Sequence, residues 1–254
     1  MRKIKIKISK RVKLVMLLTT ITGLIGFTEI SVSEMVCEKV IVNIRNTTSN
    51  HFVTEEDIME LMSEDGIDVV GQPFNRLNLK ELERRVLVNK YVESCDIYKD
   101  IKGNLYVNNV LRKPVARIVQ DQGPGAYITA NGEFLPLSDS YTARVMIVSG
   151  EFTKYLMSAD FKGFGEQRAF LDMLNYINEN DFWKAQIAQV DIDAYGKIMM
   201  VPQITKQRIE FGGADEYIEK LKKLKLFYKE VLPRKGWNAY ERVNVEFDNQ
   251  IIAE

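Results

Sequence analysis

Residues 52–58 are Phe-Val-Thr-Glu-Glu-Asp-Ile, and this stretch marks the start of a helix. Thr54 is a good N-cap, and Asp57, three residues later, supplies the acid of a capping box. Val53 and Ile58 occupy the two positions of a hydrophobic staple, which fixes how the chain enters the helix. The stretch therefore predicts a helix that begins immediately after Thr54.

A second helix start follows at residues 77–82, where Asn78 is the cap and Glu81 is expected to reach back to it. Strands are predicted before and after this helix pair, at residues 40–44, 92–98 and 104–112. The order β-α-α-β-β predicts a small α+β domain over residues 37–117.

Residues 118–254 predict a mixed β-domain that contains two helices. Apolar spacing near ~3.6 residues places these helices at residues 166–178 and 215–232. The dipeptides at residues 131–132 and 195–196 are typical of hairpin turns. Four lysines on the second helix are interpreted as a solvated face: Lys220, Lys222, Lys223 and Lys225.

The last twelve or so residues carry the clearest strand pattern. Residues 242–247 alternate strictly, which predicts that Val243, Val245 and Phe247 face the core. Asp248 and Asn249 are expected to turn the chain. The candidate final strand then consists of Gln250, Ile251, Ile252 and Ala253.

An apolar terminal strand with nothing after it is expected at the edge of a sheet. Such an edge exposes unpaired N–H and C=O groups, which can pair with another chain. One interpretation is that the edge is short enough to be harmless, and the other is that a partner adds a strand to it. The residues by themselves leave both open.

The N-terminal 28 residues have seven basic side chains and no acidic one, whereas the rest has 28 basic and 35 acidic. The uncharged residues 14–27 span about 21 Å of a ~30 Å hydrocarbon core, and residues 12–30 cross it provided that the Lys13 and Glu29 side chains extend to the two interfaces. A cleaved signal peptide has the same pattern, and the length of the segment alone favours it over a membrane helix. In either case the basic head stays in the cytoplasm and residues 34–254 are exported.

The chain is poorly supplied with catalytic and metal-binding residues. It has one histidine, His51, and two cysteines, Cys37 and Cys95, too few for a structural zinc site. The two thiols could pair in an oxidising compartment, but free thiols are favoured. Because the net charge is zero, a nucleic-acid partner is not expected. No catalytic residue, cofactor site or metal site is predicted.

The order of these features resembles the bacterial cell-division family FtsQ/DivIB, and the phrasing is most similar to members from the Bacteroidota. The resemblance covers essentially the whole chain as a co-linear set. Its residues are 42–44, 52–58, 75–83, 92–93, 111–117, 127–128, 131–132, 136–138, 141–145, 148–150, 182–183, 202 and 240–252.

The resemblance implies an α+β protein with a cytoplasmic basic tail at residues 1–13 and a single uncleaved membrane helix at residues 14–32. A POTRA domain (β-α-α-β-β) at residues 37–117 and a β-domain at residues 118–254 follow in the periplasm. It also implies a non-enzymatic scaffold in the cell inner membrane at the division septum.

The resemblance further implies the partners. FtsB/FtsL (DivIC-type) proteins would add a strand to residues 250–253, with Phe247 and Asn249 among the contacts, and the POTRA domain would dock other divisome proteins. The alternative is a periplasmic POTRA-type receptor for outer-membrane assembly or secretion, although no second POTRA copy is visible.

Overall fold

The computed structural model describes residues 13–23, 35–45, 51–63, 68–158 and 165–254. It divides into two units. The smaller unit comprises Met1–Arg45 and Val53–Leu111, and the larger comprises Asn46–Phe52 and Arg112–Glu254.

The N-terminal segment is helical over residues 13–23 (α1). The predicted membrane helix covers residues 14–32, of which residues 24–32 lie outside the described residues. Residues 1–12 of the predicted cytoplasmic tail also lie outside them. Within the residues that the structure describes, every helix is too short or too polar to span a bilayer.

The smaller unit has the predicted β-α-α-β-β order. Its elements are β1 (Lys39–Arg45), α2 (Glu55–Met62), α3 (Leu79–Val86), β2 (Val92–Lys99) and β3 (Asn104–Leu111). The strands form a three-stranded sheet in the order β1-β3-β2, in which β1 is parallel and β2 antiparallel to β3.

The first predicted helix start is confirmed in detail. The Thr54 hydroxyl accepts from the Asp57 N–H at 3.2 Å, and the Asp57 carboxylate accepts from the Thr54 N–H at 2.8 Å. At the second start, Asn78 caps as predicted, but Glu81 does not reach back. Its carboxylate instead accepts from Arg84 at 2.7 Å, because the arginine one turn later supplies a charged donor.

The larger unit is built on a nine-stranded sheet in the order β12-β11-β10-β9-β8-β7-β4-β5-β6. The strands are β4 (Pro114–Ile118), β5 (Ala126–Thr129), β6 (Phe134–Leu135), β7 (Met146–Ser149), β8 (Ile187–Ile192), β9 (Ile198–Pro202), β10 (Arg208–Gly212), β11 (Arg242–Asn244) and β12 (Ile252–Ala253). Residues 114–117, which the sequence assigned to the first domain, form most of β4 and pair with β5 and β7 in this sheet.

The two predicted helices of this unit are present, together with three short ones. The helices are α4 (Thr153–Leu156), α5 (Glu166–Glu179), α6 (Asp181–Gln186), α7 (Tyr217–Glu230) and α8 (Leu232–Lys235). The prediction of a single helix over residues 215–232 is wrong at its end, because α7 ends at Glu230. Pro233 lies in the first turn of α8, where a backbone N–H has no partner within the helix and proline therefore costs no hydrogen bond.

One face of the large sheet carries the core. Phe170 and Leu174 of α5 and Leu221 and Leu224 of α7 are buried in one apolar cluster with alternate residues of the strands. The other face carries a mostly polar row in which Ser149, Asp191, Met199, Glu210 and Asn244 occupy consecutive cross-strand positions.

Candidate functional site at the edge of the large sheet

The last strand lies at the edge of the nine-stranded sheet, as the sequence pattern predicts. β12 pairs antiparallel with β11, with Ala253 opposite Val243 and Ile252 opposite Asn244. In the part of the chain that the structure describes, no strand lies beyond β12. The strand has two residues rather than the predicted four, since Gln250 and Ile251 precede the paired region.

The hydrogen bonds of β12 show which of its backbone groups point outward. Arg242 and Glu254 exchange two N–H···O bonds of 3.0 Å each, so they form a hydrogen-bonded pair. In an antiparallel ladder the next pair is not hydrogen-bonded, and its groups point away from the partner strand. The N–H and C=O of Ala253 therefore face outward, where an added strand would pair.

An ionic network fixes the side chains of β11 beside this edge. The Glu210 carboxylate on β10 accepts from the Arg242 guanidinium at 2.6 Å and from the Asn244 amide at 2.9 Å. The bond from Arg242 holds the pKa of Glu210 below its usual range, against the opposing effect of burial. The same pairing raises the pKa of Arg242. The network thus holds the side chains of Arg242 and Asn244 in place on β11, the strand that pairs with β12.

The loop between β11 and β12 is held from a different direction. The Lys223 ammonium on α7 donates to the carbonyl of Val245 at 2.9 Å and to the carbonyl of Phe247. Asn249 then turns the chain back with a φ of +57°, a left-handed conformation that asparagine tolerates. These contacts return the chain alongside β11.

The predicted core position of Phe247 is wrong. The strand ends at Asn244, so the alternation stops governing side-chain direction, and Phe247 is 48% exposed on the loop. Val243 and Val245 are fully buried, as predicted. The Phe247 ring is therefore open to solvent on the loop that precedes β12.

The six predicted partner-binding residues lie on one continuous segment but differ in role. Phe247, Asn249, Gln250 and Ile252 are exposed. Ile251 and Ala253 are half-buried and pack against the core cluster. The edge is therefore anchored by alternate residues while the others face solvent.

Sequence reasoning missed three residues that shape this edge: Glu210, Arg242 and Lys223. The alternation at residues 242–247 does place Arg242 and Asn244 on the polar face, so that signal was available. Nothing in the sequence near Lys223 distinguishes it from its neighbours. The interpretation of the four lysines as a solvated face is also wrong for Lys220, which is 5% exposed and donates to the Gly213 carbonyl at 3.0 Å.

The other titratable candidates do not assemble into a chemical site. The ring of His51, an exposed residue, contacts the ring of Tyr141, and both cysteines are free thiols. Burial raises the pKa of Cys95 to about 12, so it is protonated at neutral pH. Among the described residues, no group of three or more His, Cys, Asp or Glu side chains could hold a metal ion.

Two family comparisons match the chain in succession. Residues 113–254, more than half of the chain, match the family described as FtsQ/DivIB, C-terminal related. Residues 35–109 match the POTRA-like domain. No curated protein is significantly similar to the chain.

Proposed function

The chain belongs to the FtsQ/DivIB family of non-enzymatic cell-division scaffolds, and we propose that it works by binding other divisome proteins through the outer edge of β12. The observation that carries the proposal is the outward direction of the Ala253 N–H and C=O at the end of a nine-stranded sheet. An added strand would continue the ladder, and its main-chain bonds would supply affinity.

The surroundings of the edge support strand addition. Ile252 in β12 is 42% exposed and Phe247 in the preceding loop is 48% exposed, so both offer apolar surface to a partner. Apolar residues beside a free edge favour a partner that covers them while pairing. The partners proposed on the family resemblance are FtsB/FtsL (DivIC-type) proteins.

The proposed setting is the cell inner membrane at the division septum. The basic N-terminus would lie in the cytoplasm, residues 14–32 would form a single membrane-spanning helix, and the two folded units would be periplasmic. The charge asymmetry of the sequence supports this orientation. The smaller unit would dock further divisome proteins.

A proline substitution tests the edge with little effect on the fold. Ala253→Pro removes the outward N–H of β12 but leaves the inward bonds of Ile252 and Glu254 in place. In a pull-down of the full chain with the periplasmic regions of the FtsB- and FtsL-like proteins, we expect this variant to lose binding. Ala253→Ser, which keeps the N–H, should bind as the wild type does.

The unfolding curve of each variant separates lost binding from lost folding. Undiminished binding by folded Ala253→Pro would move the contact away from the edge. Absence of binding by the folded wild-type chain would reject these partners and favour the POTRA-type receptor.

A further inference from the structure

Within the described residues, no strand pairs with the outer edge of β1 in the smaller unit. The segment before β1 is paired, since the backbone N–H of Cys37 donates to the Gln72 carbonyl and the Cys37 carbonyl accepts from the Gly71 N–H, both at 2.8 Å. This backbone pairing ends before Lys39, whose carbonyl accepts only a long bond from the Cys37 thiol, at 3.8 Å. Within the described residues no strand lies outside β1, whose seven residues extend about 23 Å.

The apolar side chains of β1 are incompletely covered. Val40, Val42 and Ile44 on its helix-facing side are only half-buried. Their cross-strand partners Leu105 and Val107 on β3 are fully buried. Helices α2 and α3 thus cover the centre of the sheet and leave the apolar side chains along β1 partly exposed.

The opposite edge of the same sheet is protected. The outward N–H of Ile97 on β2 donates a hydrogen bond to the Glu83 carboxylate at 2.9 Å. β2 also carries a bulge between Val92 and Ser94 and an exposed Asp96, and bulges and charges both discourage strand pairing. β1 has a regular register with β3 and no acidic residue.

The ends of β1 are both basic. Lys39 and Arg45 are exposed and lie on the same face of the sheet, six residues apart, and neither has an ion-pair partner within 4.0 Å among the described residues. Antiparallel pairing with a second copy centred on Val42 would place Lys39 opposite Arg45, and like charges in that position are destabilising. The charges therefore favour a different chain with acidic ends.

We propose that the β1 edge binds a strand of another protein that carries two acidic residues six positions apart with β-branched residues between them. The acidic residues would lie opposite Lys39 and Arg45. The intervening apolar residues would cover Val40, Val42 and Ile44. This surface is separate from the β12 edge and does not depend on what that edge binds.

Two peptides test the proposal on the full chain in detergent. The acidic peptide is Ser-Glu-Val-Thr-Ile-Thr-Val-Glu-Ser, and the basic peptide has lysine in place of both glutamates. Fluorescence anisotropy with the wild-type chain should give a Kd for the acidic peptide at least tenfold below that for the basic one. In the variant Lys39→Glu/Arg45→Glu the preference should reverse.

A matched variant controls for net charge. Lys80→Glu/Lys90→Glu changes two exposed lysines of the same unit and should keep the wild-type preference. The proposal would be overturned if the wild-type chain bound both peptides equally. It would also be overturned if Lys39→Glu/Arg45→Glu kept the wild-type preference, or if the control variant lost that preference to the same extent. The proposal would also be overturned if the wild-type chain bound neither peptide but formed a dimer that Lys39→Glu/Arg45→Glu abolished.

Discussion

At the scale of single residues, Lys223 shows how a side chain on a helix can define a sheet edge. Its ammonium group donates to two loop carbonyls, Val245 and Phe247, just before the chain turns back into β12. Without this donor the loop would lose its only charged anchor to α7 among the contacts described. We infer that Lys223 positions β12 for the proposed partner.

Replacing Lys223 by methionine should weaken partner binding about tenfold, since hydrogen bonds from a charged donor contribute ~1.5–3 kcal/mol. Hydrogen exchange at residues 252–254 should accelerate while the rest of the sheet remains protected. Lys222→Met is the control, because Lys222 is exposed and pairs with Glu219 on its own helix. If the two variants bind equally, Lys223 has no positioning role.

At the scale of elements, α3 shows that burial follows from helical spacing. Leu82 and Val86 lie four residues apart and are both buried, whereas Leu87 at the end of the helix is 44% exposed. The helix packs against β2. Leu82 and Val86 therefore contribute to the buried core of the smaller unit.

Leu82→Ala should lower the free energy of unfolding of this unit by about 2–5 kcal/mol, because it removes a buried side chain and leaves a cavity. Leu87→Ala should change it by less than about 0.5 kcal/mol. Urea unfolding followed by hydrogen exchange within residues 79–111 measures both. A Leu82→Ala curve that coincides with the wild type would contradict the burial of Leu82.

At the scale of the whole molecule, the proposed role concerns cell division. Depletion of the protein should give filamentous cells with undivided septa, because a missing scaffold would stop later divisome proteins from joining. Expression of the wild type or of Ala253→Ser should restore division, and Ala253→Pro should not. Microscopy after depletion measures this, and normal division in depleted cells would reject the role.

Features that depend on local chemistry were predictable from the sequence. The capping box at Thr54 and Asp57 involves residues three apart, so propensity and hydrogen bonding within one turn decide it. The β-α-α-β-β order and the turn at Asp248 and Asn249 are local in the same sense. The short helices α4, α6 and α8 were missed because four to six residues are too few to show a helical period.

The sequence alone determined the longer elements, the apolar face of α5, and the presence of a terminal strand next to a turn, because each follows from the spacing of neighbouring residues. The tertiary structure decided how long that strand is, that Phe247 points to solvent, and that Lys220 and Lys223 serve different neighbours. It also decided that β1 is open while Glu83 closes β2. Those properties depend on contacts between residues far apart in the chain, and spacing within one segment contains no information about them.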